Sequence, residues 1–382
     1  MKIINKFSLL IFIFIIPFVL WIWWVLTPSS MMNVFVMNKT FNSENSESAA
    51  FKWLLTHNKY KKSDRHFYSS RNDFYGIKKI DHTRHQMHDI SAMSESQLDS
   101  LSDYYDIAYY MDTYGIIQEK KKAKELPKNF VLSKNGGFDL NDIAFLKKMK
   151  EKKKLIITEY NLLAPPTSKE NRILIENLFG LKWTQWIGSY FSSLDTTNNK
   201  ELPEWIVQLY KNQHNNQWPF RNAGIVFVHS NQTVVVLENN IDIINESPVL
   251  TTFTGEQRRW NLPEKINYLQ WFDIMETSDT NNHVISTFQI KTTNKGDSLL
   301  SVYRIPPNFP GVIETNNERF YYFCGNFADI SEELYLSNLK FVPEIKKMIY
   351  PKNSFRSKQS FYWHYYYPLI KKILNNYYQK KA

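Results

Sequence analysis

Cysteine is nearly absent: Cys324 is the only one in 382 residues. That excludes an internal disulfide and any cysteine-cluster metal site. Glycine is also sparse, at 11 residues, and none of it forms a phosphate-cradling loop of the P-loop or dinucleotide type. A G-x-S-x-G nucleophile elbow and an H-E-x-x-H zinc signature are both missing. Neither a cofactor nor a metal is therefore expected. Acidic residues are in deficit, giving a net charge of +10. The basic residues concentrate only at 120–124 and 147–154, without the aromatic–basic motif of a nucleic-acid reader, so these runs read as solvated faces and nucleic acid is not an expected partner.

What is present is apolar and aromatic. The hydrophobic fraction is 43% and the aromatic fraction 16%, enough for a packed core and against global disorder. Residues 8–26, "SLLIFIFIIPFVLWIWWVL", carry no charge and match the ~20 residues of a membrane-spanning helix. Lys2 and Lys6 precede the run and three tryptophans close it. The expectation is a single-pass signal anchor with its N-terminus cytoplasmic and the rest extracytoplasmic, in the cell envelope. Residues 1–26 would be stub and anchor, 27–47 a polar tether, and 48–382 the domain.

Within that domain, "SAAFKWLLTHNKY" reads as a short helix and "DFYGIKK" as a short strand. Strands follow at Ile107–Met111 and Leu155–Thr158, each followed by helix. The helix after the second strand has a capping box of Thr167 with Glu170 and a stop at Gly180. Strand–helix alternation predicts a parallel α/β sheet. The second half predicts an antiparallel β extension, with a hairpin in "AGIVFVHSNQTVVVLE", two more strands in residues 266–293, and another pair in "GVIETNNERFYYFCGNFAD". An aromatic, basic amphipathic helix closes the chain.

In parallel sheets, ligands bind beyond the carboxyl ends of the strands. Two polar triplets stand at such ends: Asp112, Thr113 and Tyr114, and Glu159, Tyr160 and Asn161. Asp112 and Glu159 are the candidate catalytic pair, able to act as acid and base or to bind sugar hydroxyls. Capping of loops or helices is the competing role. All six residues, with Trp186 from "LKWTQWIGSYF", form the candidate ligand site, although the aromatic cluster can equally be core. "HTRHQMH" spaces His82, His85 and His88 by three. A metal there would need a further ligand such as His66, Asp81 or Asp89, and a polar surface loop is the expected state.

The stretches "YYDIAYYMDTYG", "GGFDLNDIAFLKKMKEKKKLIITEYNLLAPPT", "FGLKWTQWIGSYF", "RFYYFCGNFAD" and "FYWHYYYPLIKKIL" resemble a group of bacterial membrane-anchored proteins. The soluble part of that group is similar to the class I glutamine amidotransferase-like, flavodoxin-like fold. The resemblance spans about residues 45–375 and implies that fold, but no assigned chemistry. It departs from working amidotransferases at the nucleophile. Cys324 lies in "YYFCGNF" without flanking elbow glycines, and only His364 follows it. Glutamine hydrolysis is therefore not expected. The implied function is non-catalytic binding of an envelope glycan or protein partner; the alternative is a carboxylate-dependent hydrolase or lyase acting on envelope polysaccharide.

Overall fold

The computed structural model describes residues 6–40, 46–69, 73–79, 85–114, 136–197, 199, 201–244, 247–315, 317–330, 334–352 and 357–381. The basic run 120–124, Asp81 and His82 lie outside them. The strands in chain order are β1 (Ser30–Met31), β2 (Val34–Asn38), β3 (Tyr60–Lys61), β4 (Tyr75–Lys79), β5 (His85–His88), β6 (Ile107–Asp112), β7 (Leu155–Thr158), β8 (Leu181–Phe191), β9 (Gly224–His229), β10 (Val234–Glu238), β11 (Val249–Thr252), β12 (Lys265–Asn267), β13 (Trp271–Thr277), β14 (Asn282–Gln289), β15 (Asn308–Thr315) and β16 (Phe320–Phe323).

Ten strands form one sheet in the order β12-β11-β14-β15-β16-β7-β6-β2-β4-β5. Its middle is parallel, from β16 through β7, β6 and β2 to β4. Both wings are antiparallel. The segments VFVMN, IAYYMD, LIIT and FYYF are buried throughout, as expected of strands covered on both faces. The parallel flavodoxin-like sheet expected from the sequence is therefore corrected to a mixed sheet with five antiparallel pairings against four parallel ones. The cause is connection length. Parallel neighbours need crossovers of a dozen or more residues, whereas β15 and β16 are joined by a short turn that allows only antiparallel pairing.

A second, antiparallel sheet runs β10-β9-β8-β13. The expected hairpin is β9–β10, with Val228 opposite Val234. The two strands read from residues 266–293 exist as β13 and β14, but they separate: β13 pairs with β8, and β14 joins the large sheet. The sheets are stitched together where β13 meets the continuation of β16. Asp273 N donates to Cys324 O (2.9 Å) and Asn326 N to Trp271 O (3.0 Å).

Local signals hold at the helix ends. Asp139 caps helix Leu140–Glu151 in a box with Asp142. Gly180 ends helix Lys169–Phe179 at φ 65°, a left-handed stop that glycine adopts without strain. The cap at the start of that helix is Ser168, which accepts from Asn171 N, one residue later than the sequence suggested. Thr167 is used elsewhere: its hydroxyl accepts from Phe138 N and donates to Leu162 O. Lysines of the 147–154 run pair with acids of helix Glu95–Tyr104, Lys152 with Asp99 and Asp103 and Lys148 with Glu95.

The apolar N-terminal run forms helix Lys6–Leu26. Among the described residues no helix is long and apolar enough to cross a membrane, so the single-pass anchor, and with it the extracytoplasmic location, is not supported. The last turns of the helix instead dock on the rest of the protein. Trp24 is buried, its indole donates to His57 O (3.1 Å), and Lys59 Nζ caps Trp24 O and Val25 O. Residues 30–38, expected within a tether, contribute β1 and the central strand β2.

Candidate functional site

The carboxyl ends of β6 and β7 open on a cleft of about 230 Å³. Its floor comes from the strand ends and its walls from the second sheet and helix Glu204–Gln213. Asp112, Tyr114, Tyr160 and Asn161 line it, facing Trp183, Trp205, Trp271 and His229.

The floor is built by one turn from each strand. Leaving β6, Asp112 Oδ1 accepts from Tyr114 N (2.8 Å), an Asx turn that fixes the carboxyl at the strand end. Leaving β7, the chain reverses at Asn161, whose φ of 73° is a left-handed conformation that asparagine tolerates better than most residues. Asn161 Nδ2 then donates to Asp112 Oδ1 (3.3 Å), tying the two turns together. Asn161 N donates to Asp273 Oδ2 (3.1 Å), which also accepts from the Tyr322 hydroxyl (2.5 Å). Asp273 thus clamps the second sheet onto the floor. Burial pushes Asp112 up to about 6, against hydrogen bonds from Tyr114 and Thr40. It pushes Asp273 up to about 7, with the nearby Asp112 adding to the rise.

Glu159 does not line the cleft. It is fully buried behind the floor, where Oε1 accepts from the Tyr109 hydroxyl and Oε2 from Phe327 N (3.0 Å) and Ala328 N (3.2 Å). Tyr109 contacts the Tyr366 hydroxyl (2.9 Å) on the C-terminal helical segment. Glu159 therefore joins β7 to the 327–328 loop and to that segment. Burial raises it to about 8 despite these hydrogen bonds. Thr113 is also buried, its hydroxyl directed at Asn161 O (3.5 Å), and stays out of the lining.

Trp186 is buried outside the cleft, with its ring 4.7 Å from that of His229, and its carbonyl accepts from the Trp183 indole (3.0 Å). It is Trp183 that enters the lining. Three residues apart, the two fall on opposite faces by simple alternation, but alternation cannot say which face meets the cleft, and the strand is irregular between them, where the pairing with β13 slips and Gln185 sits at φ 72°. Trp205, Trp271, His229 and Asp273 were missed because they are distant in sequence; only the pairing of β13 with β8 and the packing of the Glu204–Gln213 helix bring them in.

Cys324 is buried, and burial pushes its thiol well up. His364 is occupied with Tyr350 O (2.8 Å). Of the histidine run, His85 and His88 lie on β5, a strand where a polar surface loop was expected, and His88 stacks on Tyr75 (4.8 Å).

Comparison with known proteins returns no matching family model and no matching curated protein. Among solved structures, a protein described as ThuA-like from Bacteroides uniformis covers 87% of this chain and 96% of its own, at 10% identity and a TM-score of 0.36. ThuA-like proteins have a glutamine-amidotransferase-like fold. A likeness of that degree fixes neither fold nor activity.

Proposed function

We propose that the cleft binds a small, neutral, hydroxylated ligand of the carbohydrate class without turning it over. The observation that carries this reading is the meeting of the Asp112–Asn161 pair with Trp183, Trp205 and Trp271 in one cleft. Indole faces stack on the C–H faces of sugar rings, while a carboxylate and an amide bind vicinal hydroxyls. At about 230 Å³ the cleft is smaller than the ~300–1,000 Å³ of drug-sized sites, which suits a single ring. A glycosidase-type mechanism needs two acids facing one bond. Among the described residues that line the cleft Asp112 is the one carboxyl, and Glu159 is held behind the floor by Tyr109 and two backbone amides.

Titration of the full chain with a panel of mono- and disaccharides, followed by tryptophan fluorescence, tests the reading. At least one sugar should shift the emission saturably. Trp271→Ala should weaken that binding about tenfold or more, since one stacked, buried indole contributes ~1.5 kcal/mol. Silence across the panel, or unchanged affinity in Trp271→Ala, would refute it.

A further inference from the structure

On the antiparallel wing, His283 and Glu314 are register partners across β14 and β15, so their side chains share one face. Glu256 reaches the same point from helix Thr254–Trp260. One ligand atom from each of the three lies within 4.8 Å of the other two. We propose that Glu256, His283 and Glu314 bind a divalent transition-metal cation of the zinc class.

The arrangement of the carboxylates carries this further than their proximity. Arg259 holds one oxygen of each: Nη1 donates to Glu256 Oε2 (3.0 Å) and to Glu314 Oε1 (2.5 Å). The Trp260 indole donates to the same Glu256 Oε2 (2.8 Å). The opposite oxygens are left for a cation. Glu314 Oε2 is buried with no hydrogen-bond partner, on a side chain only 3% exposed. Tyr321, the cross-strand neighbour on β16, also interacts with the Glu314 carboxylate, and burial together with that negative charge raises its phenol. Glu256 Oε1 stands 3.2 Å from His283 Nε2, an ion-pair distance without the alignment of a hydrogen bond.

Ligand atoms of a tetrahedral site with bonds of ~2.1 Å lie about 3.4 Å apart, so side chains now within 4.8 Å of one another would draw in by about an ångström on a cation. One imidazole and two carboxylates suit zinc and its neighbours better than magnesium or calcium. Arg259 supplies the outer-sphere hydrogen bonds that orient ligating carboxylates, and Glu318 in turn accepts from its Nη2 (2.9 Å). His283, with a side chain 43% exposed, leaves a coordination position to water. None of these residues belongs to the cleft.

The test uses the full chain stripped with a chelator and titrated with Co²⁺ as an optical probe, then with Zn²⁺ in competition. One equivalent should bind, with visible Co²⁺ absorption that Zn²⁺ abolishes. His283→Gln and Glu256→Gln should each weaken binding at least tenfold, while melting like the wild type in the presence of chelator. Should one variant fail to fold, the other decides. The absence of stoichiometric binding, or binding that survives in a folded variant, overturns the site.

Discussion

At pH 6, Glu159→Ala should lower the unfolding free energy by roughly 3–5 kcal/mol, whereas Glu159→Gln should stay close to wild type. Alanine opens a cavity in the interior, strands the Ala328 amide, and leaves Phe327 N only Gly325 O (3.0 Å) and the Tyr109 hydroxyl only that of Tyr366 (2.9 Å). Glutamine keeps an oxygen for the amides and offers its NH₂ to the Tyr109 oxygen. The two variants also separate charge from shape. Glu159 sits at about 8 in the fold, because of its burial, against an ordinary 4.5. The folded state therefore holds more protons than the unfolded one between those values, and the contribution of Glu159 to stability falls as pH rises from about 4.5 to 8. Glu159→Gln removes that slope. Denaturant melts at pH 5, 6.5 and 8 should show the wild type losing ground to Glu159→Gln with rising pH; parallel curves would mean the carboxyl is ionised throughout.

The second large effect belongs to Lys39. It is buried directly after β2, with Nζ donating to Asp142 Oδ2 (2.5 Å), Asp139 Oδ2 (3.2 Å) and Gly137 O (3.1 Å). Asp142 also accepts from the Tyr110 hydroxyl (3.1 Å). Burial alone would lower the Lys39 value, but Asp142 and Asp139 outweigh it and the net shift is upward. Burial raises Asp142 to about 6 even with Lys39 beside it. Lys39→Met leaves that carboxylate buried and unpaired, a loss of roughly 3–5 kcal/mol at pH 7. Asp142 then moves higher still, so the variant should regain stability on acidification towards pH 5, as the carboxyl takes up its proton. A deficit below ~1 kcal/mol, or one that grows in acid, would show that the ammonium is not what compensates Asp142. Lys39→Met combined with Asp142→Leu should be less damaging than Lys39→Met alone, since no orphan charge remains.

The contrast between these two residues shows what could be read from the chain. Leu155–Thr158 was legible to the residue, because three apolar residues and a β-branched threonine between a lysine run and a polar triplet admit little else. Gly180 marks a helix end by local chemistry that tertiary structure left alone. Val34–Asn38 was not legible: five residues amid serine and asparagine carry no periodicity, yet they lie between β6 and β4 in the sheet. The apolar run at 8–26 matched the length of a spanning helix, but length alone could not foresee Trp24 and Lys59 locking its end to the protein. At the site, the rule that strand ends carry ligand residues led to both triplets. It could not say which way each acid faces. Asp112 turns to the cleft and Glu159 turns back, because Phe327 and Ala328, far along the chain, present two amides to it.

That division between a cleft acid and an interior acid is the centre of the proposed function, and one comparison tests it. Affinity for the sugar identified by fluorescence should be measured by calorimetry on Asp112→Asn and Glu159→Gln side by side at pH 7.5. Asp112→Asn should bind about tenfold or more weakly, because a charged acceptor of ligand hydroxyls is lost, while Glu159→Gln should bind as the wild type does. Equal loss in both, or loss in Glu159→Gln alone, would contradict the assignment and move the ligand away from the Asp112–Asn161 floor.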